Sequence, residues 1–268
     1  MNQSWQKFND EGRKQWDRKA VFWDELHSDE GNSFHRHLIG PAIEKLLALN
    51  SGERVLDIAC GSGVLARRLA ALGGQVTAVD FSEGLLKQAQ KRTQESGEPI
   101  SYKIVDATDE EALVALGVGM YDAIISTMAL MDMPIIAPLF RAVSQLLKPA
   151  GRFVFATSHP AFHSNVPTLI GERVEENGVL ETHHYLKISG YLDIPPMQAV
   201  GARGEPTPHN VYHRPLHALL GAGFSAGLVL DGLEEPSFDP ETADAARPLS
   251  WDHLWQFPPV IVGRMRIK

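Results

Sequence analysis

Three aspartates and a run of small residues stand at spacings that suit a nucleoside ligand. In VLDIACGSGVLARRLA, Val55 to Ala70, the residues Gly61, Gly63 and Ala66 match the pattern G-x-G-x-x-G/A. Small residues there let a ligand approach the backbone where a strand turns into a helix. Asp80 ends the next apolar run, 19 residues after Gly61, where a carboxylate takes both hydroxyls of a ribose. Asp57 lies inside the first run; a carboxylate there repels a pyrophosphate but suits an ammonium or sulfonium group. A ligand's own carboxylate is met by N–H groups around Cys60 to Gly63 and by the positive end of the helix beginning near Ser62. Asp106 closes a third run, KIVDATD, placed to accept from an adenine amino group, with Phe81 and Ala107 flanking the base. Together these groups describe S-adenosylmethionine in preference to NAD.

Such groups need strand ends to hold them. From Val55 onward, VLDIA, QVTAVD, ISYKIVD, YDAIIS and GRFVFATS alternate with helical patterns such as SEGLLKQAQKRTQ and PIIAPLFRAVSQLL. That alternation predicts an α/β, doubly wound sheet with five parallel strands. Gly73-Gly74 closes a helix, Ser82 and Asp109 serve as N-caps, and Pro149-Ala150-Gly151 turns the chain into a strand over Arg152 to Thr157. Before the sheet, residues 1–54 form a helical preface, amphipathic from Phe34 to Leu49. Residues 158–210 break into Pro, Gly and His around one strand-like run, VLETHHYLKIS, and read as a lid. Beyond it HRPLHALLGAGF reads as a short helix with a Gly stop, GFSAGLVLDG as a sixth strand and PPVIVGRMRIK as a terminal strand. The acid-rich stretch Glu234 to Pro248 reads as a solvated loop.

VLDIACGSG, VTAVDFS, VDATD, YDAIIS and LLKPAGRFVFATSHP together resemble the successive motifs of class I S-adenosylmethionine-dependent methyltransferases, over Phe34 to Thr157. Within that class the chain is similar to small-molecule enzymes with a His-Pro after the fifth strand and a Tyr-His-Arg-Pro before the next helix, here His159-Pro160 and Tyr212-His213-Arg214-Pro215. The resemblance implies a seven-stranded, mostly parallel sheet of order 3-2-1-4-5-7-6 with the last strand antiparallel, cofactor at the strand ends and substrate under the lid. It implies cofactor contacts from Asp57, Gly61, Gly63, Asp80 and Asp106, and Ala59, Phe81, Ala107 and Thr127 complete the expected cofactor site. Ala59 replaces the first glycine of the usual loop, and Phe34 stands where relatives often carry a tyrosine.

His159 follows the fifth strand, and an imidazole there is either a general base or a group that orients the lid. The pairs His35/His37, His159/His163 and His183/His184 lack an acid or cysteine at a metal-site spacing, so no metal is expected. Trp5, Trp16 and Trp23 close over a ligand or dock the first helix, packing being the expected role of at least two. Phe162, Leu169, Ile170, Tyr191 and Met197 line a substrate pocket, form a satellite core or make a homodimer contact, three readings the sequence leaves open.

With 268 residues and 44% hydrophobic content the chain builds one main domain, 1–268. Its 25 basic against 33 acidic residues, a net charge of −8, give no field for nucleic acid or an anionic membrane, which leaves small molecules as partners. The fourth strand runs into STMALMDMP and lacks the Asn/Asp-Pro-Pro-aromatic element of base methylases. One cysteine, no signal-like start and no run near ~20 apolar residues predict a soluble protein of a reducing cytoplasm. The expected function is methyl transfer to a small-molecule O, N or C nucleophile. The competing readings are an NAD-dependent oxidoreductase and an inactive S-adenosylmethionine-binding partner subunit.

Overall fold

The computed structural model describes residues 2–97, 99–242, 247 and 249–268. Helix α1 (Asn2–His27) leads through a π-helical turn, His35–Ile39, into α2 (Gly40–Leu47). Strands and helices then alternate: β1 (Arg54–Ile58), α3 (Val64–Ala71), β2 (Gln75–Asp80), α4 (Glu83–Ser96), β3 (Ile100–Ile104), α5 (Glu110–Val114), β4 (Tyr121–Thr127), α6 (Ala137–Leu146) and β5 (Leu147–Ser158). An insertion follows, made of β6 (Thr168–Glu176), β7 (Val179–Lys187), β8 (Met197–Ala199) and β9 (His209–Val211). The chain closes with α7 (Leu216–Ser225), β10 (Leu228–Glu234) and β11 (Val260–Ile267). The main sheet has the order β3-β2-β1-β4-β5-β11-β10. Strands β1 to β5 pair in parallel and β11 runs antiparallel to both neighbours, the topology expected from the sequence.

Alternate residues of the central strands feed opposite cores, which is why these strands read as nearly unbroken apolar runs. Leu56, Ile58, Ile124, Phe153 and Phe155 pack with α6 and α7 on one face, where the Phe140 and Phe153 rings meet edge to face at 5.7 Å. Val55, Ala123, Ile125 and Val154 pack with α2 and α3 on the other. Ser82 and Asp109 cap α4 and α5, each side chain accepting an N–H from three residues on, at 3.1 and 3.0 Å. Helix α1 lies on α4 through Ala20, Trp23 and Leu85.

Several boundaries differ from expectation, each for a local reason. The amphipathic stretch from Phe34 is not one α-helix: Pro41 has no N–H to give, and the Gly40 N–H bonds back to the His35 carbonyl, widening the turn. Pro149 to Gly151 does not precede the last parallel strand but bulges within β5, whose pairing steps from Tyr121↔Leu147 to Ala123↔Arg152. Gly221 and Gly223 lie inside α7, which ends before the left-handed Gly227. A Cβ on Gly223 would come within 2.4 Å of Met265 Sδ, so that glycine serves packing. The lid region holds two hairpins, β6–β7 and β8–β9, where one strand was expected. The stretch from Glu234 is not wholly a solvated loop: Glu234 ends β10 and Phe238 is buried against Phe34. Its residues 243–246 and 248 lie outside the described residues. Among the described residues no helix is long and apolar enough to cross a membrane, and no three His, Cys, Asp or Glu side chains group to hold a metal ion.

Candidate active site

A cavity of about 590 Å³ opens at the carboxyl ends of β1, β2 and β4, walled by α1 on one side and by the insertion on another. Of the residues singled out from the sequence, Asp57, Ala59, Gly61, Asp80, Phe81, Asp106, Ala107 and Thr127 line it. Gly63 does not; it stands behind the turn in the left-handed region, where a Cβ would meet the Tyr102 hydroxyl at 2.6 Å. Gly61 is also left-handed, and the space beside it is open to a ligand.

The three acids differ in their partners. Asp80 is fully engaged by backbone: Oδ2 accepts the Gly61 N–H and Oδ1 the Ser82 N–H, both at 2.9 Å. Burial raises its pKa to about 6, against the pull of those bonds. Asp106 Oδ1 accepts from the Thr108 N–H and hydroxyl, while Oδ2 accepts from Asn9 of α1 at 2.5 Å. Asp57 is 1% exposed, and neither carboxylate oxygen has a hydrogen-bond partner. Burial first, and the charge of Asp80 second, push its pKa up to about 8. An orphaned buried carboxyl is costly unless a cation or donor arrives, so this donor set fits a ligand with a cationic centre and a ribose.

Three non-glycine residues of the cavity wall hold left-handed backbone: Ala59 at φ +59°, Met128 at +51° and Val166 at +52°. Such conformations are rare, above all for a β-branched residue, and concentrate where a site is held in a set shape.

His159 does not line the cavity. Its Nδ1 accepts the Ala161 N–H at 3.1 Å, which leaves Nε2–H to donate to Glu235 at 2.8 Å, and the ring is 2% exposed. With both nitrogens committed and the ring away from the cavity wall, the geometry favours the orienting reading over the general-base one. Its carbonyl accepts the N–H groups of His163 and Ser164, and those two residues reach the cavity instead. The spacing HPAFHS, which brings its fifth and sixth residues back over the first, is the sequence signal for them.

Trp16 and Trp23 both pack α1 and line the cavity. Of the five apolar insertion residues singled out from the sequence, Leu169 alone lines it; Phe162 packs on Phe257, and the Tyr191 hydroxyl accepts the Leu216 N–H. Sequence reasoning missed a second polar group. Lys19 and Glu205 form a fully buried ion pair at 2.6 Å, with Trp23 Nε1 donating to the same carboxylate at 3.0 Å. His209 stands 3.3 Å from Glu205 and 3.6 Å from Asp132. Burial lowers its pKa to about 4 and raises that of Asp132 to about 8. Lys19, Asp132 and the Glu205–His209 segment are far apart in sequence, and the four-residue spacing of Glu205 and His209 does not by itself mark the cluster.

Residues 55–151 match the family model described as a methyltransferase domain. The chain is 32% identical over 184 residues to the ubiquinone biosynthesis O-methyltransferase of Chromobacterium violaceum, covering 68% of this chain and 74% of that protein. It superposes on an S-adenosylmethionine dependent methyltransferase of Mesorhizobium loti with a TM-score of 0.62 at 26% identity, over 84% of this chain and 96% of that one. One from Clostridium acetobutylicum shares the fold, with a TM-score of 0.56 at 16% identity over 94% and 98%. These findings give no support to the oxidoreductase or inactive-partner readings: the chain belongs to the class I S-adenosylmethionine-dependent methyltransferases, an enzyme family, and S-adenosylmethionine is its cofactor.

Proposed function

We propose that this enzyme methylates a hydroxyl of a small aromatic compound held beneath the insertion, which acts as its lid. The observation that carries this reading is one cavity running from the three aspartates to the insertion, where Val166, Leu169 and Val200 lie over it. A covered cleft of this size admits a small molecule and keeps out a macromolecular segment. Met128, Met131, Met133, Trp16 and Trp251 line it, and thioether and aromatic groups favour a flat ring. The O-methyltransferase name of the Chromobacterium relative supports an oxygen nucleophile.

In this reading Asp57 faces the cationic centre, Asp80 takes the ribose hydroxyls and Asp106 the adenine, with Phe81 and Ala107 flanking the base. Ala59, Gly61, Gly63 and Thr127 shape the walls around it. When bound, S-adenosylmethionine supplies the methyl group, and its sulfur keeps the electron pair of the carbon–sulfur bond. The chain aligns the acceptor, excludes water and takes the acceptor's proton.

A panel of phenols, amines and carbon acids scored by S-adenosylhomocysteine release tests the acceptor class; turnover confined to amines would overturn the hydroxyl reading. Asp80→Ala should weaken S-adenosylmethionine binding by about 1–3 kcal/mol in a calorimetric titration, and unchanged affinity would remove its ribose role.

A further inference from the structure

The Tyr-His-Arg-Pro segment has so far no task, and its histidine holds a hydrogen-bond pattern that selects one tautomer of the neutral ring. His213 is buried and lines the cavity. Its Nε2 lies 2.6 Å from the Tyr191 carbonyl. A carbonyl only accepts, so Nε2 carries a hydrogen, and in the neutral ring Nδ1 is then bare. Nδ1 lies 2.8 Å from Ser164 Oγ. A bare nitrogen also only accepts, so the serine hydroxyl spends its one hydrogen there and presents lone pairs alone to the rest of the cavity it lines. Ser164 is therefore a site for an incoming donor, with a base already in contact behind it.

The frame around this pair is stiff. The Tyr191 ring meets the His213 ring at 5.8 Å, and its hydroxyl accepts the Leu216 N–H at 2.9 Å. The Tyr212 N–H donates to the Met131 carbonyl at 2.7 Å. The Arg214 guanidinium turns to the carbonyls of Leu130 and Met133, at 2.8 and 2.5 Å. One end of the pair thus belongs to the loop after β4, and the other, through Ser164 and Tyr191, to the insertion. His163 also offers a bare Nε2, since its Nδ1 donates to the Pro259 carbonyl at 3.1 Å. Burial lowers its pKa to about 4, so it holds a proton poorly.

We infer that Ser164 and His213 form a proton relay for the acceptor hydroxyl. The acceptor O–H donates to Ser164 Oγ. As its oxygen bonds to the methyl carbon, its proton passes to Ser164 Oγ while the serine proton passes to His213 Nδ1, leaving an imidazolium whose Nε2–H stays on the Tyr191 carbonyl. The serine is regenerated in the same step, and the imidazolium releases its proton to solvent after product leaves. Because Tyr191 and Ser164 both come from the insertion, the relay is complete only with the lid in place. This inference rests on the hydroxyl reading above.

Two measurements test it. In protein labelled with 15N-histidine, long-range 1H–15N spectra should show His213 as the Nε2–H tautomer, its signals assigned by their loss in His213→Gln. An Nδ1–H tautomer would overturn the relay whatever the acceptor is. With 4-nitrocatechol as the probe acceptor, Ser164→Ala and His213→Gln should each lose ~100-fold or more in kcat, with the dissociation constant for S-adenosylmethionine within about twofold of the parent. Glutamine keeps an N–H for Tyr191 and an oxygen for Ser164 but takes up no proton, so a merely structural histidine would be rescued by it; retained kcat in His213→Gln overturns the relay. A parent enzyme that binds S-adenosylmethionine yet turns over amines and not 4-nitrocatechol overturns the hydroxyl reading, while the tautomer still decides the proton arrangement.

Discussion

The strand ends and the contact between α1 and the insertion handle buried charge in opposite ways. At the strand ends Asp57 is sealed from water with no partner of its own. Under the insertion Lys19 and Glu205 are sealed just as fully, but against each other at 2.6 Å. The first arrangement costs free energy until a cation arrives; the second is satisfied within the fold and ties α1 to the insertion. A ligand completes the first, whereas the chain completes the second. Removing a carboxylate should therefore have opposite effects on the stability of the free protein in the two places.

The largest effect is expected at the ion pair. Glu205→Ala leaves the Lys19 ammonium buried without a counter-charge and should destabilise the fold by about 3–5 kcal/mol. Burial already pulls the Lys19 pKa down. For Glu205, burial pushes upward, and the hydrogen bonds from Lys19, Trp23 and the Gly201 N–H outweigh it. Urea unfolding followed by tryptophan fluorescence should show the midpoint fall with an unchanged slope. Adding Lys19→Met should restore most of the loss, since a neutral pair needs no compensation. A double variant as unstable as the single would mean that the charge is not what matters there.

The same contrast explains what the sequence could and could not show. Asp57, Gly61, Asp80 and Asp106 are set by local grammar: each lies in or just beyond the last residues of a strand-like run, and strand ends in a parallel sheet converge. Their place near a ligand was readable from spacing, whereas the order of the sheet came from the resemblance to the methyltransferase class. Lys19 and Glu205 are 186 residues apart and meet only because α1 crosses to a hairpin of the insertion. The partners of His159 were hidden for a related reason. Its position after β5 was readable, but the Glu235 carboxylate and Ala161 N–H that occupy its nitrogens come from tertiary packing and a turn. Residues 168–176, with Gly171 in the middle of β6, lacked a clean period and were missed as a strand, although their pairing with β7 is regular from Thr168 to Glu176.

At Asp57 the sign reverses. Its pKa in the folded protein is about 8 against an ordinary 3.8, so below pH 4 the carboxyl is neutral in both folded and unfolded chains and costs little. As pH rises from about 4 to about 8 the unfolded chain ionises first, and stability falls across that window. Asp57→Asn should therefore raise the melting temperature of the free protein at pH 8 and leave it unchanged at pH 4. The same variant should weaken S-adenosylmethionine binding. At pH 7 the free carboxyl holds its proton, and a cation beside it drives ionisation, so binding to the parent should release about one proton. Titrations in phosphate and Tris, whose ionisation enthalpies differ, read that number directly; equal apparent enthalpies in the two buffers would sink the orphaned-acid picture.

The smallest effect concerns the turn between these acids. Ala59 holds φ +59°, a conformation that costs an L-residue with a Cβ roughly 1–2 kcal/mol and glycine almost nothing. Glycine in turn loses about 0.4–1 kcal/mol more chain entropy on folding. Ala59→Gly should then stabilise the protein by up to about 1 kcal/mol, seen as a rise of a few degrees in the thermal midpoint. Ala59→Val should lower it, because a β-branched residue tolerates that backbone least. The two substitutions separate strain from packing: a glycine that destabilises, together with a harmless valine, would show that the methyl of Ala59 is retained for contact and that the turn stores no backbone strain for the cofactor to meet.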